Sequence, residues 1–281
     1  MHRKGSTLRA SIVVIGDEIL DGFVRDSNAA WLATRLREVG IPLDRISVVP
    51  DEVAAICEAL RAEIARSRPR VLFTSGGIGT TPDDRTMAAV ARFLGVELVA
   101  EPTLRQMVDG IIDRLIQRGH EVDDAQRRAL RKLAQVPQGA RALTGPDGTA
   151  PGVRLDVDGG DGVQGGLVLV VLPGVPSQFR DLVTQLEPTL LAGRGVVLHV
   201  AELRHPYPES VLTPALEALD VRFPQVRIGS YPGTQCLLRV QGETAAVEAV
   251  IAELRRTLDD LADDPRMREL AAAWRHGWRD A

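Results

Sequence analysis

Short apolar runs alternate with amphipathic stretches along the first two-thirds of the chain, and the alternation predicts the order of its elements. Residues 10–15 (Ala-Ser-Ile-Val-Val-Ile) are too few for a helix and stop at Gly16, which predicts a buried strand. Trp31, Leu32, Leu36 and Val39 then recur at helical spacing before Gly40, so the next element is an amphipathic helix closed by glycine. The pattern repeats with a strand at 43–49 and a helix from Val53, then with a strand at 71–73 and a helix from Met87. Successive strand–helix units of this length predict an α/β fold with a mostly parallel sheet covered by helices on both faces, a three-layer αβα sandwich. Two helical segments, 104–117 and 123–134, follow with no strand between them, and from Val136 the chain reads as irregular. A hairpin turning at Asp158-Gly-Gly-Asp-Gly162 leads into the most apolar strand, 167–172, and then into a helix carrying Phe179, Leu182, Val183 and Leu186.

Gly193-Arg-Gly195 marks a boundary. Beyond it the pattern reads strand 196–203, helix 209–219, strands 226–231 and 236–241, and helix 244–261, a small α+β domain of order βαββα. The predicted divisions are a main domain at 8–193, the accessory domain at 196–262 and a helical tail at 263–281. Trp274 and Trp278, four residues apart in that tail, predict a helix docked on its own body or on a second subunit.

Composition narrows the class without deciding it. At 281 residues, 44% hydrophobic and 26% charged, the chain has the make-up of a globular protein, and its net charge of −4 gives no electrostatic reason to bind nucleic acid. Cys57 and Cys236 lie far apart on apolar faces and read as reduced core residues, which fits a cytoplasmic setting. The apolar run after the basic amino terminus is too short for a signal peptide or a membrane span.

The candidate chemistry gathers where strands end. At Thr74-Ser-Gly-Gly-Ile-Gly-Thr-Thr-Pro-Asp-Asp-Arg-Thr86 an apolar strand breaks into glycines and meets two adjacent carboxylates. In an open α/β sheet, ligands collect at such carboxyl ends. Gly76, Gly77 and Gly79 can take positive φ and let main-chain N–H groups converge on an anion, for which phosphate is the natural guest. Carboxylates repel phosphate, so Asp83 reads as a helix cap and Asp84 as a ligand to a hard metal ion that would reconcile the two charges. The stretch matches neither the dinucleotide fingerprint nor the P-loop, and an ordinary capped loop is the competing reading. Gly16-Asp-Glu-Ile-Leu-Asp-Gly22 forms a second strand end, followed by Asp26-Ser-Asn28, where Asp26 or Ser27 is also a plausible cap. Asp51 closes a third strand, and by position alone it reads as an N-cap. His120, beside a glycine turn, reads as exposed and not as a ligand.

The 74–86 stretch resembles the signature of the molybdopterin-binding (MoaB/Mog-type) domain, in the branch of CinA amino-terminal domains, with Ile78 and Thr80 as mild departures. Gly16 to Gly22 with Asp26 and Asn28, Asp51, Gly148-Thr-Ala-Pro-Gly152 and Leu172-Pro-Gly-Val-Pro176 match further motifs of that family in the right order. The resemblance implies a ligand crevice contributed by Gly16, Asp17, Glu18, Asp26 and Asn28 from the first motif. It adds Ser75, Gly76, Gly77, Gly79, Asp83 and Thr86 from the second, and Pro173 and Gly174 from the last. It also implies that Asp51 and Asp84 act as the catalytic and metal-holding pair. The implied activity is metal-dependent (Mg²⁺ or similar) hydrolysis of a dinucleotide pyrophosphate such as ADP-ribose or FAD. Adenylyl transfer to molybdopterin, or non-catalytic binding of a pterin or nucleotide, are the alternatives. The accessory domain resembles a KH-like module, but Gly229-Ser-Tyr-Pro-Gly233 lacks the clamp spacing that RNA binding needs, so no nucleic acid is expected. The family implies a homo-oligomer, and the chain stops before the amidase domain of full-length CinA proteins, so nicotinamide mononucleotide deamidation is not expected.

Overall fold

The computed structural model describes residues 7–146, 150–157 and 166–277. The chain divides into two compact units, Met1–Val197 and Leu198–Ala281. The first opens with β1 (Arg9–Ile15), α1 (Asp17–Leu20), α2 (Asn28–Glu38), β2 (Leu43–Val49), α3 (Val53–Ile64), β3 (Arg70–Ser75) and α4 (Thr86–Leu94). It continues with β4 (Leu98–Ala100), α5 (Pro102–Gln117), α6 (Asp124–Arg131), β5 (Gln135–Pro137), β6 (Arg141–Thr144), β7 (Pro151–Asp156), β8 (Leu167–Leu172) and α7 (Pro176–Leu186).

The main sheet runs β2-β1-β3-β8-β7-β6, with β2, β1, β3 and β8 parallel and β7 antiparallel to both its neighbours. Its inner strands are buried on both faces, which is why they read as unbroken apolar runs. Alternate residues feed two separate cores. Ile12, Val14, Phe73, Val170 and Leu172 pack under α2 and α7, where Trp31 meets Phe179 edge-on at 6.2 Å. Val13, Ile15, Leu72, Leu169 and Val171 pack on the other face under α3, α4 and α5. The expected αβα sandwich is therefore present. After β1 the chain adds β2 on one side and then crosses to place β3 on the other, so the direction of winding reverses between β1 and β3. The carboxyl ends of those two strands form the switch point at which α/β sheets open a crevice.

Three short strands lie where the sequence pattern showed none. β4 and β5 pair antiparallel through Leu98↔Pro137 and Ala100↔Gln135, and β6 pairs with β7. Strands of three or four residues are too brief to display a period, so only pairing reveals them. The antiparallel pairing of β7 with β8 fits the expected hairpin, whose turn at 158–162 lies outside the described residues, as do Gly148 and Thr149.

The second unit has β9 (His199–His205), α8 (Glu209–Arg222), β10 (Arg227–Tyr231), β11 (Cys236–Gly242), α9 (Thr244–Asp263) and α10 (Pro265–Gly277). Its antiparallel sheet, β10-β11-β9, buries Leu238 and Val240 against Leu212, Val247, Val250 and Leu254. The first strand starts at 199 and not at 196, because the N–H of Val196 donates to Gly40 O within the first unit. In the tail helix, Ala271 is buried and the indole N–H of Trp274 donates to Gly233 O at 3.2 Å, so this tryptophan docks on its own unit. Trp278 lies outside the described residues. Cys57 and Cys236 are both buried and unbridged.

Candidate functional site

Parallel register brings the ends of β1 and β2 level, Ile15 beside Val49, and the N–H of Gly16 donates to Val49 O at 3.1 Å. One residue further on, the N–H of Asp17 donates to Asp51 Oδ2 at 3.0 Å. Asp51 is thus turned toward the end of β1 and does not cap α3, whose first turn has no side-chain cap. A Cβ at Gly16 would lie 2.7 Å from a carboxylate oxygen of Glu18, a contact that this flexible side chain relieves by turning. Asp26 has the modest role, since its carboxylate accepts from the N–H groups of Asn28 and Ala29 and so caps the start of α2.

The glycine loop is locked against the same strand ends. Gly76 has φ 103° and a Cβ there would lie 2.2 Å from Ile15 O, so no other residue fits without moving the backbone. Gly77 has φ 66° and would collide with Thr86 Oγ1. That hydroxyl donates to Gly76 O at 2.9 Å, so Thr86, expected among ligand contacts, is a buried latch inside the loop. Asn28 ties three loops together, donating through Nδ2 to Ser75 Oγ and to Gly174 O, each at 2.9 Å. Asn28, Ser75 and Pro173 are all buried, so they shape the crevice from behind, whereas Gly174 is exposed. Among the described residues, no protein acceptor is hydrogen-bonded to the main-chain N–H groups of Gly77, Ile78, Gly79 or Thr80. Successive main-chain N–H groups in a turn are the material of an anion-binding nest.

The two adjacent aspartates part company. Asp84 is half-buried against Gly79, and its Oδ2 accepts from the N–H of Thr81 at 2.8 Å and from the Thr81 hydroxyl at 2.6 Å. Asp83 was the expected helix cap, but α4 begins with no side-chain cap and Asp83 faces an open cavity of about 610 Å³. Across that cavity stand Asp17, Glu18 and Asp51, so Asp83 and not Asp84 shares its wall with Asp51. Thr81 bonds Asp84 within the loop through both its N–H and its hydroxyl, while Asp83 stands on the cavity wall. Burial raises the Asp51 carboxyl above its ordinary range, and the charges of Asp17, Glu18 and Asp83 raise it further against the opposing hydrogen bond from Asp17. Asp83 is held low by Thr81 and by its own main-chain amide, with help from Lys132 and Arg85. Lys132 also donates to Thr81 O, pinning the loop from the far side.

Sequence reasoning passed over several residues that the fold brings here: Asp21 and Phe23 on the cavity wall, and Thr81 and Lys132 at the loop. Phe23 carried a signal, an aromatic residue in a polar motif and off any helical period. Lys132 carried none, being 51 residues from its partner. His120 is exposed as expected and borders a second cavity of about 370 Å³ with Leu115, Val122, Leu130 and Thr80. Among the described residues, no three His, Cys, Asp or Glu side chains are grouped so as to hold a metal ion by themselves. No helix among them is long and apolar enough to cross a membrane.

A doubly wound α/β domain with unpaired amides and a wall of carboxylates near its switch point defines a structural class of protein. Comparison with known proteins narrows the class, because residues 11–192 match the family described as "Probable molybdopterin binding domain". The chain belongs to that family. It is similar to a CinA-like protein of Mycobacterium sp. (strain MCS), with 44% identity over 175 residues that cover 62% of this chain and 39% of the relative. It therefore matches well under half the length of that relative. A protein of Thermococcus kodakarensis is 36% identical over 225 residues, covering 79% of this chain and 85% of the other. Among solved structures, the protein CinA of unknown function from Thermoplasma acidophilum superposes with a TM-score of 0.53 and 30% identity, covering 64% of this chain and 96% of that one. These relatives place the chain in the CinA-like branch.

Proposed function

We propose that the crevice binds a dinucleotide-type pyrophosphate, of the ADP-ribose or FAD kind, and hydrolyses it with the aid of a divalent metal ion. One observation carries this reading: four consecutive unpaired amides, Gly77 to Thr80, belong to a loop whose Gly77 stands beside Asp51 Oδ1, and the Asp51 carboxyl is raised by burial and by the charges of Asp17, Glu18 and Asp83. The amides call for an anion and the crowded carboxylates call for a cation, and a metal-bound pyrophosphate supplies both. Mg²⁺ takes one or two carboxylates together with substrate phosphates, a demand that two aspartates meet. Asp51, whose Oδ1 stands beside Gly77, and Asp84, whose carboxylate stands beside Gly79, would hold the ion at the glycine loop and not on the wall that Asp83 lines, Asp84 through the oxygen that Thr81 does not use. Bound there, the ion would neutralise charge developing on the phosphates. The loop amides hold one phosphate, and Glu18 or Asp83 orients the attacking water. Water adds to one phosphorus, the bridging P–O bond breaks, and AMP leaves with the other phosphate ester. Molybdopterin is the alternative guest of the same crevice, supported by the description of the family. The buried, unbridged cysteines fit a cytoplasmic setting, and the exposed Ile46 and Val48 on edge strand β2 suit a homo-oligomer.

The test is AMP release from ADP-ribose and FAD by purified protein with Mg²⁺ or Mn²⁺. Asp51→Asn and Asp84→Asn are each expected to lower turnover by about 100-fold or more, while Asp83→Asn, outside the ion pair, loses less. Full activity in both Asp51→Asn and Asp84→Asn overturns the metal reading. Absence of AMP release with every divalent ion, alongside binding of a pterin or nucleotide, reduces the crevice to a binding module.

A further inference from the structure

Phe23 is 88% exposed, whereas the other phenylalanines of the chain, Phe73, Phe93, Phe179 and Phe223, are all buried or half-buried. Its position is built by the turn that carries it. Asp21 N–H donates to Asp17 O at 2.8 Å, Gly22 N–H to Ile19 O at 3.2 Å and Val24 N–H to Glu18 O at 2.9 Å, with Gly22 at φ 73°. This winding sets the ring on the wall of the cavity that Asp51 and Asp83 also line. Leu20 and Val24 beside it are 51% and 42% exposed, so the feature is an apolar rim and not one stray side chain.

We infer that Phe23 is the stacking platform for the planar heterocycle of the ligand, and that it selects electron-poor rings of the flavin or pterin kind. A phenyl face is an unselective surface for any flat π-system and needs no hydrogen-bond register. The selection comes from its setting. The ring face is itself electron-rich, and the charged groups that line the cavity with it, Asp17, Glu18, Asp21, Asp51 and Asp83, are all carboxylates, so an electron-deficient ring is favoured there over an electron-rich one. The placement of the heterocycle rests on the proposed site for the phosphates at Gly77 to Thr80, linked to this cavity by Asp51, which lines it and stands beside Gly77.

The experiment measures binding apart from turnover. FAD, ADP-ribose and inorganic pyrophosphate serve as probes that carry a flavin with adenine, adenine alone, and no ring. Phe23→Ala is expected to raise the Kd of FAD roughly tenfold or more, that of ADP-ribose less, and that of pyrophosphate not at all. Phe23→Trp is expected to retain FAD affinity, and its added indole emission, measured against wild type, to be quenched by FAD. If AMP release is never observed but this quenching is, hydrolysis fails and the platform stands. If AMP is released while Phe23→Ala leaves the FAD and ADP-ribose constants unchanged, the platform fails and hydrolysis stands. Equal weakening of all three probes would show a loop-shaping role and overturn the inference. So would a change in oligomeric mass with FAD binding intact, which would mark the rim as a contact between copies.

Discussion

Near the amino ends of β1, β2 and β3 sit Arg9, Asp44 and Arg70, while just past the carboxyl ends of the same strands sit Asp17, Asp51 and the glycine loop. At the first edge every charge has its partner. Asp44 accepts from Arg9 Nε at 2.8 Å and from Arg70 Nη2 at 2.7 Å, and Arg70, only 1% exposed, also reaches Ser11 Oγ and Ser67 O. Burial opposes the charged form of Asp44, but the two arginines outweigh it and hold the carboxyl below its ordinary range. At the second edge burial and like charges work together, and Asp51 moves the opposite way. The difference separates two uses of charge within one sheet. Partnered charges close the amino edge, whereas at the other edge carboxylates crowd one another with no arginine between them as at Asp44.

The comparison breaks or sharpens on four measurements. The largest effect belongs to Asp44→Ala, which strands the buried Arg70 and should destabilise the protein by about 3–5 kcal/mol in urea unfolding followed by circular dichroism. A loss below about 1 kcal/mol would mean that the amino edge is not held by this network. Asn28→Ala comes next, at about 1–3 kcal/mol, because Ser75 Oγ and Gly174 O lose their donor; AMP release should fall with it as the loops loosen. Asp51→Asn should be the sharpest contrast, with stability within about 0.5 kcal/mol of wild type or slightly higher, since it removes a crowded charge and keeps an acceptor for the N–H of Asp17. A destabilisation like that of Asp44→Ala would make Asp51 structural.

The smallest effect is on pH dependence, and its sign differs between the edges. The folded value for Asp44 lies below its ordinary 3.8, so its contribution is present above that value and lost as pH falls through the folded one. The folded value for Asp51 lies above 3.8, so its contribution is present below that value and lost as pH rises through the folded one. Stability curves should therefore flatten on the acid side in Asp44→Asn and above about pH 4 in Asp51→Asn. The same change in both variants would refute the contrast.

Much of the fold was legible beforehand. Inner strands of a parallel sheet must be apolar on both faces, and α2, α3 and α4 each show one apolar face, so their order could be read from periodicity. Edge elements were harder. β4, β5 and β6 have too few residues to carry a period and exist through the partners they meet. In the site, the need for glycine at 76 and 77 was visible, because only positive φ explains such a run between a strand and a helix. The roles of Thr86, Ser75 and Asn28 were less so, since a hydroxyl or amide that latches a loop looks the same in sequence as one that touches a ligand.

By itself the sequence determined the alternation of strands and helices, the left-handed backbone at Gly76 and Gly77 though not the ordinary φ of Gly79, and the presence of carboxylates at three strand ends. Those are local properties, set by side-chain period and by the missing Cβ of glycine. The tertiary structure alone decided that β1 would lie between β2 and β3, which brings Asp17 within 3.0 Å of Asp51 across 34 residues of chain. It also decided which of two adjacent aspartates would face the cavity. Asp83 and Asp84 are chemically identical neighbours, and in an irregular turn their directions depend on the hydrogen bonds the loop closes around them. Thr81 bonds Asp84, Lys132 donates to Thr81 O from a distant helical turn, and Asp83 stands on the cavity wall.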